Sequence, residues 1–284
     1  MSSNAGSALL FLGDEERADH ELSHGTVCVR SRRSPDKQTA NEDAAVLVPV
    51  GSDGLVMAVA DGVGGLPAGR EASSAAVKAL ATALSDPSVE SDRLRPAILD
   101  VLERTNQELL QSGRGAATTL VVGEIVAGRL RSYHVGDSEL IAVGQRGRMK
   151  LRVVPHSPTG FAVEAGLLDE DEAVNHHQRH VLFNVIGAED MRVEMGSAVD
   201  VAVRDTVLLA TDGLLDNLFV DEIVEIIRKG PLPAAADALV ERATSRMHID
   251  DDAASPCKPD DLTVILYRPR APTRKRRRPG AKQT

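Results

Sequence analysis

Two apolar runs in this chain end in the same way. Leu55–Ala60 runs into Asp61-Gly62, and Val207–Ala210 runs through Thr211 into Asp212-Gly213. A segment of helical composition follows each. Such a run belongs in a core, and a carboxylate at its end is costly unless a partner meets it there. The repeat therefore limits the architecture: strands must bring their acidic ends to a shared edge. Three other stretches fit that demand. "TANEDAAVLV" sets Glu42 and Asp43 ahead of an early strand, "SYHVGDSEL" sets Asp137 in a turn, and "KPDDLTVILY" sets Asp260 and Asp261 ahead of the last strand. Strand ends and tight turns hold such side chains on rigid scaffold.

The order of elements points to α+β. Val-rich strands ("GTVCVRS", "AAVLVPV", "GLVMAVA") are followed by helical segments at 69–84 and 91–111. In the second, Leu94, Ile98, Val101, Leu102, Thr105 and Leu109 form one amphipathic stripe, with Ser91 or Asp92 as N-cap and Gly113 as stop. Strands return over 117–154, an irregular stretch with a short helical piece occupies 156–190, and "RVEMGSAVDVAV" and "TVLLA" read as strands. Two helices and the strand "DLTVILYR" complete the order. Without regular β-α-β alternation, antiparallel sheets with helices outside them are expected. Residues 1–22 read as a loose extension, 23–268 as one domain and 269–284 as a basic disordered tail.

Charge and cysteine usage exclude several classes. Residues 268–284 carry eight Lys and Arg and no acid, so the body holds 25 Lys and Arg against 42 Asp and Glu, a net of −17. An acidic body is a poor nucleic-acid reader. The tail could meet an anionic membrane or nucleic acid, but a solvated tail is the simpler reading. No apolar run approaches the ~18 residues of a membrane span, and no signal peptide is recognisable. Cys28 and Cys257 form no metal or redox spacing, which fits a reducing cytoplasm.

Acids beside glycines suit hard divalent cations. Glycine lets the backbone approach an ion and offer its carbonyl, and carboxylate, carbonyl and water oxygens are what Mg²⁺ or Mn²⁺ prefers. One Asp-Gly alone is also the commonest hairpin turn; the set of acids at strand ends is what argues for metal. His176, His177 and His180 look like a zinc site, but no Cys or further His stands nearby.

"NEDAAV", "VMAVADGVGG", "GAATTLVV", "YHVGDSEL", "LLATDGLLDNL" and "PDDLTVIL" resemble, in order and spacing, the type 2C metal-dependent Ser/Thr protein phosphatases of the PPM family, in their compact bacterial form. The resemblance covers about residues 23–268. It implies a four-layer α-β-β-α sandwich with two central antiparallel sheets and a metal cluster in a cleft at one edge. Asp61, Asp212 and Asp260 would be the catalytic ligands. Asp61 would bridge two Mn²⁺ or Mg²⁺ ions, the Gly62 carbonyl would bind one, and Asp212 and Asp260 would hold the other. Glu42 and Asp43 would act through bound waters or stand behind the direct ligands, and Asp137, with help from Asp212, would recruit a weaker third ion. A metal-bridging hydroxide would attack phosphoserine or phosphothreonine without a phosphoenzyme, consistent with the lack of C-x₅-R or D-x-D-x-T motifs.

The resemblance further implies a cytoplasmic monomer acting on phosphorylated proteins, among them a Ser/Thr kinase or its substrates. The chain departs from the family pattern where a phosphate-gripping Arg is usual and Gln38 stands; Lys37, or Arg32 and Arg33 upstream, are the substitutes in sequence. Val63 replaces the His of eukaryotic members. Within 156–190, a flap beside the cleft, Arg179 is a candidate substrate contact. The alternative reading is a catalytically weak or inactive member that binds a phosphoprotein.

Overall fold

Strands buried on both faces have no use for polar alternation, and the Val-rich runs are of that kind. In the computed structural model, which describes residues 7–35, 37–63, 68–86, 88–174, 176–178, 181–248 and 257–270, the chain begins with β1 (Leu9–Phe11), β2 (Glu15–Glu21), β3 (Gly25–Arg32), β4 (Asp43–Val50) and β5 (Gly54–Asp61). Helices α1 (Gly69–Leu84) and α2 (Leu94–Ser112) follow, then β6 (Leu120–Val126), β7 (Arg129–Val135), β8 (Glu139–Val143) and β9 (Met149–Arg152). Two short helices, α3 (Pro158–Glu164) and α4 (Glu170–Val174), lead to β10 (Glu194–Met195), β11 (Val199–Asp200) and β12 (Thr206–Ala210). The chain closes with α5 (Asp212–Leu215), α6 (Val220–Ile227), α7 (Leu232–Met247) and β13 (Leu262–Pro269).

The strands form two antiparallel sheets. One runs β1-β4-β5-β6-β7-β10, with β11 also on β7; the other runs β2-β3-β13-β12-β8-β9. Alternate residues of β4 show the layering. Ala45 and Leu47 face the second sheet in a core shared with Val29, Met57, Leu209 and Ile265. Ala44, Val46 and Val48 face the other way, onto Val77 and Leu80 of α1 and Leu94 and Ile98 of α2. On the far side, Ile141, Leu208 and Leu266 pack against Leu214, Ile223 and Leu239 of α5, α6 and α7. Three apolar layers thus separate four layers of secondary structure, the α-β-β-α order expected.

Three expectations need correction. Residues 9–21 are not a loose lead-in: β1 pairs with β4 and β2 with β3, as the outermost strands of the two sheets. β2 escapes a hydrophobic-pattern reading because its residues alternate between exposed and half-buried and none is fully buried; charge on an edge strand also guards it against intermolecular pairing. The second helix starts at Leu94, since Ser91–Arg93 form a turn in which Arg93 N–H donates to Glu90 O at 2.9 Å. Pro96 then sits in the first turn, where no intrahelical N–H is needed; Gly113 closes the helix at φ 64° as expected. "RVEMGSAVDVAV" yields two separate two-residue strands on β7. The basic tail beyond Arg270 lies outside the described residues.

Candidate metal centre

The register of the first sheet sets two acids side by side. Asp43 opens β4 and Asp61 closes β5, and the two are directly paired. The backbone around Asp61 is fixed on every side: its N–H donates to Thr119 Oγ1 (3.1 Å), and its carbonyl accepts from Thr119 N–H (2.8 Å) and Thr118 Oγ1 (2.7 Å). Its carboxylate, by contrast, has no donor among the described residues. The second sheet supplies Asp212, the first residue of α5 after β12, and Asp260 ahead of β13. The β7–β8 turn, which crosses between the sheets, supplies Asp137.

Glycines follow both strand-ending acids for a steric reason. A Cβ on Gly62 would lie 2.3 Å from the Gly69 carbonyl carbon and oxygen, and one on Gly213 would lie 1.9 Å from the Asp261 carbonyl oxygen. Main chain packs on main chain there, and this draws the acids together. No donor among the described residues reaches the Gly62 carbonyl oxygen. Gly64 and Gly65 lie outside the described residues.

The acids repel one another. Burial, then the charges of Asp212, Asp43, Asp260 and Asp137, push the Asp61 carboxyl well above the usual carboxylate range. Burial and Asp261 do the same to Asp43, and burial with Asp212 and Asp216 to Asp137. Asp260 is pushed up to about 6 by burial and Asp212, against the pull of Lys258. Asp43 Oδ1, Asp137 Oδ1 and Asp212 Oδ1 are buried without a hydrogen-bond partner. Orphaned, mutually repelling carboxylate oxygens beside a carbonyl that no described donor reaches are the donor set of a hard divalent cation. The residues present therefore fit Mn²⁺ or Mg²⁺.

Two lysines enter this cluster. Lys37 Nζ donates to Glu42 Oε2 (2.8 Å) and Asp261 Oδ2 (2.5 Å), so as a phosphate contact it is already engaged. Asp261 also accepts from the N–H groups of Ser34 and Glu42. Lys258 lies among Asp212, Asp216 and Asp260. Arg33 is elsewhere: it stands 3.7 Å from Asp14 and lines a cavity of about 410 Å³ with Arg32 and His248, free of the cluster's acids. Arg179 lies outside the described residues. Sequence reading missed Lys258 and Asp216; the spacing of Asp216 four residues after Asp212, one helical turn, was the available signal.

A cavity of about 200 Å³ adjoins the acids. Asp137, Asp212 and Asp216 line it together with Arg152, Thr159 and Val163, the last two from α3. Behind it runs a stack of rings, His134, His156, Phe161 and Phe183, with centroids 4.3, 6.2 and 6.1 Å apart in turn. His156 Nδ1 accepts from Gly136 N–H, next to Asp137, which ties the stack to the site. His134, His156 and Glu194 offer ligand atoms within 4.8 Å of one another. The two imidazoles lie face to face at an interplanar angle of 26°, however, so their in-plane lone pairs run side by side and cannot meet on one ion. His176 and His177 are neighbours at 4.3 Å; His180 lies outside the described residues.

Burial, then His156, pushes His134 down to about 4. The folded state keeps this ring neutral while the unfolded chain takes up a proton near pH 6.5, so stability is lost as pH falls from about 6.5 to 4. The loss attributable to this ring approaches about 3 kcal/mol at the acid end. His134→Gln should flatten the acid side of a melting-temperature profile; an unchanged profile would contradict this.

Residues 31–247 match the family model for protein phosphatase 2C. Protein phosphatase PhpP of Streptococcus pneumoniae is 30% identical over 224 residues, which is 76% of this chain and 90% of that protein. The S. agalactiae serine/threonine phosphatase structure superposes with a TM-score of 0.73 at 24% identity, covering 85% of this chain and 98% of that one. The catalytic domain of serine threonine protein phosphatase PstP, solved in complex with two manganese ions, superposes with a TM-score of 0.66 at 21% identity, covering 87% and 98%. These likenesses agree with the two-sheet sandwich: the chain belongs to the protein phosphatase 2C family.

Proposed function

We propose that this protein is a metal-dependent serine/threonine phosphatase that releases phosphate from phosphoserine and phosphothreonine in proteins without a phosphoenzyme. The observation that carries the reading is the convergence of Asp43, Asp61, Asp137, Asp212 and Asp260 from both sheets, with three buried oxygens left unpartnered. Asp61, Gly62, Asp212 and Asp260 would hold two ions, Glu42 and Asp43 would support them, and Asp137 would favour a third. Bound there, divalent ions lower the pKa of water and neutralise phosphoryl oxygens.

The chain's own residues do the rest. Thr118 and Thr119 fix the Asp61 backbone, and Asp43 is steadied by Thr211 Oγ1, which donates to its Oδ2 at 2.9 Å. The cavity beside Asp137 and Asp212 receives the peptide flanking the phosphate, with α3 as its wall. Cys28 is unsuited to act as a nucleophile: it is buried, its thiol pushed up to about 12 by burial and Asp19. The names of a second relative and of the S. agalactiae structure, both serine/threonine phosphatases, favour serine and threonine.

Mn²⁺ or Mg²⁺ as the working ion, a partner kinase or its substrates, a monomeric state and a cytoplasmic location belong to the same reading. No helix among the described residues is long and apolar enough to cross a membrane. A phosphoprotein binder without turnover is disfavoured, because the full carboxylate set is in place. Asp212→Ala should lower Mn²⁺-dependent hydrolysis of p-nitrophenyl phosphate by about 10²–10³-fold. Full activity in that variant, or wild type without metal-dependent turnover, would overturn the reading.

A further inference from the structure

Lys258 stands two residues before Asp260, in the segment that leads into β13. Its Nζ lies 2.5 Å from Asp212 Oδ2, 2.9 Å from Asp216 Oδ2 and 3.1 Å from Asp260 Oδ2. An ammonium has three protons, and each here faces a different carboxylate. Asp212 and Asp216, four residues apart across α5, both turn toward it. The side chain is 23% exposed, so the contact is largely withdrawn from water.

The main chain that carries this ammonium is itself clamped. Lys258 N–H donates to Asn217 Oδ1 at 2.9 Å, and its carbonyl accepts from Asn217 Nδ2 at 2.8 Å. Asn217 is fully buried and also donates to the Gly213 carbonyl at 2.9 Å. One buried amide thus ties the lysine's backbone to the turn that presents Asp212. A free surface lysine would have no such anchor.

The cluster therefore divides. Among the described residues no lysine reaches Asp61 or Asp43, whereas Asp212, Asp216 and Asp260 share one. Asp212 and Asp260 are also the pair assigned to the second ion. Asp212 Oδ1 is open to an ion, but both oxygens of Asp260 are engaged, Oδ1 by Asp261 N–H at 2.9 Å and Oδ2 by the ammonium. A divalent cation that takes Asp260 therefore meets Lys258 at a distance where like charges repel. On the metal-dependent reading of the site, we propose that Lys258 is a built-in competitor for the second cation, and that loading of that ion requires the ammonium to swing out. Being tethered, the ammonium competes at a high effective concentration. Two unequal classes of ion site follow, with the weaker one set by Lys258.

The test is calorimetric titration of Mn²⁺ into the full chain after EDTA treatment and dialysis, for wild type, Lys258→Met and Lys258→Arg. Wild type should show a tighter and a weaker class. Lys258→Met should tighten the weaker class about tenfold, equivalent to about 1.4 kcal/mol, and leave the tighter class in place. Lys258→Arg keeps a cation there and should keep the weaker class weak. If loss of the ammonium prevents Lys258→Met from folding, Lys258→Gln, which keeps a donor without the charge, takes its place. An unchanged or weakened second class in the neutral variant overturns the proposal while leaving the metal site intact. No Mn²⁺ binding by wild type or variants overturns the metal reading, and this proposal with it.

Discussion

Asp61→Asn should abolish metal-dependent turnover and, in the same protein, raise the melting temperature measured in EDTA. The first effect follows from position: Asp212, Asp43, Asp260 and Asp137 all contribute charge at Asp61. Asn keeps the shape but cannot balance cations, so activity should fall by on the order of a thousandfold. The second effect follows from the same crowding. The folded state holds the Asp61 carboxyl above its unfolded value, so at neutral pH folding must either bury a repelled charge or take up a proton. Removing that demand should stabilise the metal-free chain by about 1–3 kcal/mol, a few degrees in melting temperature. The sign has a pH window. Below about pH 4 the carboxyl is protonated in both states and the gain should vanish. Thermal scans at pH 7.5 and pH 4, with EDTA and with Mn²⁺, check all of this; destabilisation of the metal-free variant at pH 7.5 would contradict it.

Gly213→Ala should cost both stability and metal affinity. The added methyl would lie 1.9 Å from the Asp261 carbonyl oxygen, 2.8 Å from its carbon and 3.1 Å from Leu262 Cα. All three are backbone atoms at the start of β13, so no side-chain rotation relieves the clash. The expected loss is at or above the upper end of the about 1–3 kcal/mol typical of overpacking. Relief must also push the Asp212 turn away from Asp260, so Mn²⁺ affinity should drop with stability. Gly113→Ala is the contrast: nothing lies within 4 Å, and only its φ of 64° opposes a side chain. That variant should lose about 1 kcal/mol and keep its metal affinity. Equal effects from the two substitutions would contradict the steric account.

Much of this was legible because the two central sheets are covered on both faces. Such strands, β4 and β5 above all, are continuous apolar runs, and a carboxylate that ends one stands out. Helix α1 follows the segment read from its composition, 69–84, because its buried residues recur at helical spacing. Helix α3 carried no such signal: only Thr159 of it is fully buried. Its start is written instead in Ser157, whose Oγ accepts from Gly160 N–H, with Pro158 in the first turn. β2 stayed hidden for the opposite reason, since its polarity is that of an edge. Within the site, the acids were visible and the lysines were not. Lys37 is read from the chain as a candidate for phosphate, and only the fold shows it placed between Glu42 and Asp261. Nothing local marks Lys258; its role depends on Asn217 and on Asp212 and Asp216 at the two ends of α5, some 40 residues away in sequence.

The central claim is that the acids at the sheet edge exist to hold divalent cations for phosphate-ester hydrolysis. Phosphate release from a phosphothreonine peptide tests it most directly, using the full chain stripped with EDTA, dialysed and then supplied with Mn²⁺. Release should be negligible from the stripped protein and restored on adding Mn²⁺. Turnover by the stripped protein at the rate of the Mn²⁺-supplied one, or no release despite Mn²⁺ bound at the site, would contradict it.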